Sequence, residues 1–321
     1  MIMKTNIWFC AVAIIGAVTA AGQEQPGLAK LAVTAHVVDE NAAPISGATV
    51  RLVFGERTNA NAVVRVEGVT DKDGRFTGEG YSDGSLGATV AKEGYYASGL
   101  SIPPLHDIVD RRQQSVEGKS ILRPIGKPVA LFVKGGWFDI PAIGQPCGYD
   151  LEKGDWVSPY GTGAVPDLVI ALQRNYKNPY DFEVKAEIRF SNPLDGIMEV
   201  ETPPIGRVSF FEWPREAPEA GYQPVLMTRF ACSPGAGYEK SASDSQKYFF
   251  RVRTVVSDGR IVSALYGKIS GAMQLAPFDS STSKIRLNYY LNPTPLDRNL
   301  EWDTRRNLFA GPSDPETPNR P

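Results

Sequence analysis

The chain has 321 residues, with 34 basic and 36 acidic side chains and a net charge of −2. Both signs are mixed along it and no basic stripe is visible, which argues against a nucleic-acid partner. The 31 glycines and 25 prolines punctuate short β-branched and aromatic runs, the pattern of an all-β protein, and the length suggests two domains.

Lys4 precedes an apolar run from Ile7 to Val18, and Val18-Thr19-Ala20 offers small residues where a signal peptidase cuts. That order reads as a secretory signal peptide over 1–20. The alternative, a membrane anchor, needs about 20 apolar residues; this run is shorter and ends in Ala-Ala-Gly-Gln. Cys10 lies too early for a lipoprotein cysteine. A secreted or periplasmic, cell-envelope protein is expected, with no membrane span after cleavage. The cysteines of the mature chain are Cys147 and Cys232. An oxidising compartment permits a bridge between them, but spacing does not fix pairing, and two separate thiols is the alternative.

Leu31 to Val38 reads as a strand with Val33, Ala35 and Val37 on one face. Ala48 to Phe54 is a second, with Ala48, Val50, Leu52 and Phe54 inward. Val63 to Val69 is a weaker third, Asp73-Gly74 a hairpin signal, and Leu86 to Tyr96 closes the set. The residues Val33 to Asp39, Pro44-Ile45-Ser46-Gly47-Ala48-Thr49-Val50, Thr70-Asp71-Lys72-Asp73-Gly74-Arg75-Phe76 and Val90-Ala91-Lys92-Glu93-Gly94-Tyr95 together resemble the carboxypeptidase regulatory-like module, a transthyretin-like β-sandwich. The chain departs from that pattern by a long insertion between Phe54 and Thr70. The resemblance implies a small sandwich over 28–102, of the kind appended to secreted proteins in structural or adhesion-like roles. It does not imply peptidase activity.

Residues 103–124, with Pro103-Pro104 and the charged stretch Asp107 to Arg112, read as a linker. Beyond it, Val129 to Val133 and Asp167 to Leu172 read as buried strands, with a loop-rich stretch from Gly135 to Pro159 between them. Phe182 to Phe190 alternates strictly: Glu183, Lys185, Glu187 and Arg189 are charged and every residue between is apolar, a strand with one wet and one core face. Ile197 to Glu201 returns the chain. Tyr248 to Val256 and Ile261 to Ile269 flank a Ser257-Asp258-Gly259-Arg260 turn, with Phe250, Val252, Thr254 and Val256 expected on one face. Ile285, Leu287, Tyr289 and Leu291 align in a last strand. A second, larger antiparallel sandwich or jelly roll over 125–309 is expected, followed by a disordered Pro-rich tail over 310–321.

Catalytic constellations are mostly missing. His36 and His106 are the only imidazoles, no zinc pattern occurs, and neither histidine suits a Ser-His-Asp triad. Gly80-Tyr81-Ser82-Asp83-Gly84 matches a nucleophile elbow in letters, but no helix is expected after it. Gly135-Gly136 and Gly161-Thr162-Gly163 precede no helical pattern and so cradle no phosphate. Asp71, Asp73 and Gly74 resemble half a calcium loop whose twelfth position, Ser82, lacks the bidentate glutamate. Asp150, Glu152, Asp155 and Asp167 are carboxylates that acidic glycoside hydrolysis could use if two faced each other; the plainer reading is that they cap turns. A non-enzymatic protein without cofactor or metal is expected.

Trp137, Trp156 and Tyr160 share one stretch with Asp150 and Asp155, and flat rings beside carboxylates suit sugar recognition. Against this stands burial of both tryptophans as core. Two readings follow. One is a cell-envelope binding protein, with an extracellular glycan as candidate ligand. The other is a structural or assembly component whose partner is another envelope protein. Exposure of Trp137 and Trp156 around a concavity favours the first; burial of both favours the second.

Overall fold

The computed structural model describes residues 28–56, 59–103, 114–200, 209–241, 243, 246–277, 282–309 and 317–321. The expected signal segment, His106 and residues 310–316 lie outside that set. Among the described residues there are 21 strands and no helix, so none is long and apolar enough to cross a membrane.

The first sandwich contains β1 (Ala29–Val38), β2 (Thr49–Glu56), β3 (Asn59–Val69), β4 (Arg75–Ser82), β5 (Ser85–Ala91), β6 (Tyr95–Tyr96), β7 (Gln114–Ile121) and β8 (Arg123–Pro124). Its two sheets run β4-β1-β7 and β3-β2-β5, and β6 pairs β8 in a small ribbon. The alternation of β1 and β2 meets in the core: Val33, Ala35 and Val37 face Val50, Leu52 and Phe54, all fully buried. Each of these valine, leucine and phenylalanine side chains removed from water contributes about 1.5–3 kcal/mol. The sheets approach closely at β4, where a Cβ on Gly80 would lie 2.4 Å from the Phe54 ring.

Two expectations change here. The Asp71–Gly74 turn is not a hairpin, because β3 and β4 belong to different sheets; it carries the chain around the sandwich corner. Asp71 accepts from the amides of Asp73 and Arg75 at 2.9 and 2.8 Å, and Gly74 takes φ 71°. The carboxylate therefore organises a turn. Secondly, part of the expected linker is strand: β7 pairs β1 in parallel, from Leu31 opposite Gln114 to Val38 opposite Ile121. The first sandwich reaches Pro124, and 104–113 lies outside the described residues.

The second sandwich contains β9 (Val129–Asp139), β10 (Pro146–Asp150), β11 (Asp155–Trp156), β12 (Leu168–Asn178), β13 (Asp181–Phe190), β14 (Gly196–Glu199), β15 (Val225–Ser233), β16 (Gly237–Lys240), β17 (Lys247–Ser257), β18 (Arg260–Ser270), β19 (Gln274–Ala276), β20 (Lys284–Asn292) and β21 (Trp302–Asn307). One sheet runs β11-β10-β12-β13-β15-β16. The other runs β14-β17-β18-β20-β9-β21, with β19 also on β20. All these pairs are antiparallel except β9 with β21. Phe182, Val184, Ala186 and Ile188 of β13 face Ile285, Leu287, Tyr289 and Leu291 of β20 across one core. In β17 the expected face holds through Phe250, Val252 and Thr254 but not Val256. The register shifts after Val252, Arg253 takes φ 56°, and Val256 is exposed.

The cysteines do not pair. Cys147 and Cys232 are buried free thiols on β10 and β15 of one sheet, with β12 and β13 between them. Three strand spacings alone put them about 14 Å apart, and Cys147 is level with Leu226 rather than Cys232, so the separation is more than twice what a disulfide spans. The end of the expected disordered tail is docked: Arg320 O accepts from Tyr290 Oη at 2.9 Å, and the Arg320 guanidinium lies 5.0 Å from the Phe210 ring.

The two sandwiches are joined by polar groups around β6 and β8. Tyr96 Oη donates to Glu301 at 2.7 Å, and Arg215 pairs with the same carboxylate at 2.9 Å. Arg123 donates to the carbonyls of Phe211 and Trp213 at 2.9 and 2.6 Å, with its guanidinium 4.6 Å over the Phe211 ring.

Candidate functional site

The expected platform divides when its residues are placed. Trp156, on β11, is buried, with its ring edge-on to Tyr149 at 5.2 Å. Tyr149 also packs on Phe138 at 5.6 Å. Phe138 and Trp137 are consecutive on β9, so their side chains leave opposite faces of the strand. Trp156 thus lies on the core side and Trp137 on the other, and the two rings form no shared surface. Trp137 was expected in a loop; β9 runs on through it to Asp139. Tyr160 is exposed in the turn after β11.

Asp150 and Asp155 organise the backbone of that turn. Asp155 accepts from the amide of Trp156 and from the amide and hydroxyl of Thr162, at 2.7–2.8 Å. The Thr162 amide, opposed by partial burial, holds its carboxyl below the ordinary range. Asp150 accepts from the amides of Ala164 and Val165 at 3.0 Å and of Lys153 at 3.1 Å. Burial pushes its carboxyl up, but those amides and Arg253 outweigh it and the net direction is down. Gly161 and Gly163 fit the same purpose: a Cβ on Gly161 would lie 2.4 Å from the Trp156 carbonyl oxygen. That close approach accounts for the Gly-Thr-Gly string.

Asp150, Glu152 and Asp167 converge on Arg253. Its guanidinium meets Asp150 at 3.0 Å and Asp167 at 2.8 and 2.9 Å, and contacts Glu152 as well. Asp167 is almost wholly buried, and burial raises its carboxyl above the usual value despite the guanidinium. These are the carboxylates that acidic hydrolysis could use, and each is committed to a cation or to backbone amides. Among the described residues no group of three or more His, Cys, Asp or Glu could hold a metal.

The concavity of interest lies at the other end of the second sandwich. A groove of about 230 Å³ opens where β19 meets the β15–β16 hairpin, with Trp137, Arg229, Phe230, Lys240, Met273 and Gln274 among its lining residues. Sheet register sets two of the lining residues, Trp137 and Gln274, on one face of the second sheet. Trp137 is opposite Arg286, and Arg286 is opposite Gln274, so ring, guanidinium and amide stand side by side on one face. The Arg286 Nε is buried with no hydrogen-bond partner. On the facing wall, Phe230 and Lys240 are cross-strand partners. Arg229 is fixed by Glu183 at 2.6 Å and Glu239 at 2.8 Å.

Of the expected site residues only Trp137 lines this groove. Arg229, Phe230 and Lys240 escape sequence reading because β15 shows no strict alternation; Thr228, Phe230 and Cys232 face the core side among mixed neighbours. The three-residue β19 is too short to carry a period.

No protein-family model matches the chain, and no curated protein matches it. Among solved structures it is similar to a 3-chlorocatechol 1,2-dioxygenase from Rhodococcus opacus 1CP, at 16% identity and TM-score 0.23, over 30% of this chain. It spans about three fifths (61%) of that enzyme. It is also similar to a Bacteroides uniformis protein provisionally described as carbohydrate-binding, at 9% identity and TM-score 0.19, covering 81% of this chain and 95% of the other. At these scores neither likeness bears on function.

Proposed function

We propose that this is an exported, non-enzymatic cell-envelope protein that binds a glycan in the Trp137 groove. The observation that carries the reading is that Trp137, Gln274, Phe230 and Lys240 line one concavity. An aromatic face takes the C–H side of a sugar ring, while amide and cationic donors take its hydroxyls. The non-enzymatic part rests on the commitment of Asp150, Glu152 and Asp167 to Arg253. Export rests on Lys4 and the apolar run after it. The first sandwich, in this reading, is a carboxypeptidase regulatory-like carrier module.

The test is a glycan array spanning neutral and acidic polysaccharides. Wild type should be retained, and Trp137→Ala should lose retention by about tenfold or more while its melting temperature shifts little. Retention unchanged by Trp137→Ala, or none by wild type, rejects the groove. For export, N-terminal sequencing of secreted or periplasmic material should begin near Ala21; recovery from cytoplasm with Met1 intact would count against it.

One observation favours the second reading, an assembly component bound to another envelope protein. The tip of the β17–β18 hairpin leaves Val255, Val256, Ile261 and Val262 exposed together. Light scattering and cross-linking in envelope extracts separate the readings: a stable complex lost on Val262→Asp, with no glycan retained, supports assembly.

A further inference from the structure

Resting on the glycan reading, we propose that the groove continues onto an aromatic ladder ending at Tyr238, so that the ligand is an extended oligosaccharide chain rather than a single sugar or disaccharide.

The ladder is set by strand register. Tyr176 of β12 is opposite Phe182 of β13, Phe182 opposite Cys232 of β15, and Cys232 opposite Tyr238 of β16. Phe230, two residues before Cys232, leaves the same face and touches both flanking rings. Its ring stacks on Tyr238 with centroids 5.9 Å apart and planes 17° apart, and meets Phe182 edge-on at 5.1 Å. Phe230 is therefore a wall of the groove and a rung of the ladder at once. Lys240, its partner in register, stands two residues from Tyr238 on the same side of β16. Phe182 is a core residue, and the Phe230–Tyr238 end of the ladder is the part contiguous with the groove.

Tyr238 is 62% exposed although it is fixed against Phe230. A ring immobilised at the surface with one face in water is a preorganised stacking site, since little side-chain entropy remains to be lost on binding. Its position on the edge strand β16, stacked on Phe230, places it beyond the Phe230–Lys240 side of the groove, away from Trp137. A ligand touching both rings must cross Phe230 and pass Lys240. A monosaccharide does not reach; a chain does. Lys240, beside Phe230 on the same face, supplies a hydrogen-bonding partner for a sugar hydroxyl along the path.

The probes are length series, from monosaccharide to hexasaccharide, of β-glucan, chitin and galacturonan fragments, titrated calorimetrically into the full mature chain. In the series that binds, affinity should rise about tenfold or more between disaccharide and pentasaccharide. Tyr238→Ala should abolish that rise while leaving disaccharide affinity within about twofold of wild type, and Tyr238→Phe should restore it. Because Tyr238 is exposed, both variants should melt with wild type, which excludes misfolding. Affinity that is flat beyond the disaccharide, or that Tyr238→Ala lowers equally at every length, overturns the extended site while leaving the Trp137 groove standing. Binding of no series, or binding insensitive to Trp137→Ala, fails the glycan reading itself.

Discussion

At the residue scale the two tryptophans separate sharply. Trp156 is core: it is buried against Tyr149, which in turn packs on Phe138 and Tyr289. Trp156→Ala should cost about 3–5 kcal/mol and leave groove binding per folded molecule unchanged; chemical denaturation and titration of the same sample check both. Full wild-type stability in that variant would contradict the packing. Arg253 is the other decisive residue. It neutralises Asp150, Glu152 and Asp167 from a bulge with positive φ. Arg253→Met leaves nearly buried carboxylates without their cation. Breaking such a pair costs about 3–5 kcal/mol, and the lower end applies because the guanidinium side chain is 25% exposed. A midpoint in urea within error of wild type would show the cluster to be decorative.

At the element scale the turn from Asp150 to Val165 is held by two carboxylates, and its pH response follows from their directions. Asp155 is held below its ordinary value of 3.8, first by the Thr162 amide. Stability from a depressed carboxyl is complete above the unfolded value and lost as pH falls through the folded one. Asp150 shares that sign, because its amide partners and Arg253 outweigh burial. Asp167 has the opposite sign: burial raises it, so its protonation on acidification favours the fold. The turn should therefore loosen below about pH 4. Faster amide exchange at Thr162 and Ala164 near pH 3 than intrinsic rates explain would show it, and Asp155→Asn should already exchange faster at neutral pH. Protection independent of pH in wild type would refute the assignment. The aspartates and glycines of this turn were visible in the sequence as turn formers. Which atoms they hold was not, because the Ala164 and Val165 amides reach Asp150 only after β10 and β12 pair.

At the scale of the whole molecule the joint between sandwiches is the feature that matters. Glu301 is almost fully buried between them, receiving Tyr96 Oη, the Gly126 amide at 2.7 Å and Arg215. Its carboxylate couples the two cores, so the wild-type chain should melt in one calorimetric transition. Glu301→Gln should weaken the joint by about 3 kcal/mol and split the trace into two. Two transitions in wild type would mean the sandwiches are independent. The parallel pairing of β7 with β1 and the docking of Ser209–Ala217 onto β6 and β8 bind segments distant in sequence, beyond the reach of any local pattern.

What the sequence determined by itself is the all-β class and the inward faces of β1, β2, β13 and β20. Those follow from a period of two, a property of neighbouring residues. What only the tertiary structure decided is which face each ring meets. Trp137 and Trp156 look alike in a string of letters, yet the pleat of β9 sends Trp137 away from Phe138 while Trp156 packs inward on Tyr149. The groove is built by β9, β15, β16 and β19, brought together across more than a hundred residues of chain. Long-range register, not local composition, sets that meeting, because the free energy that selects it comes from burying the core between the two sheets.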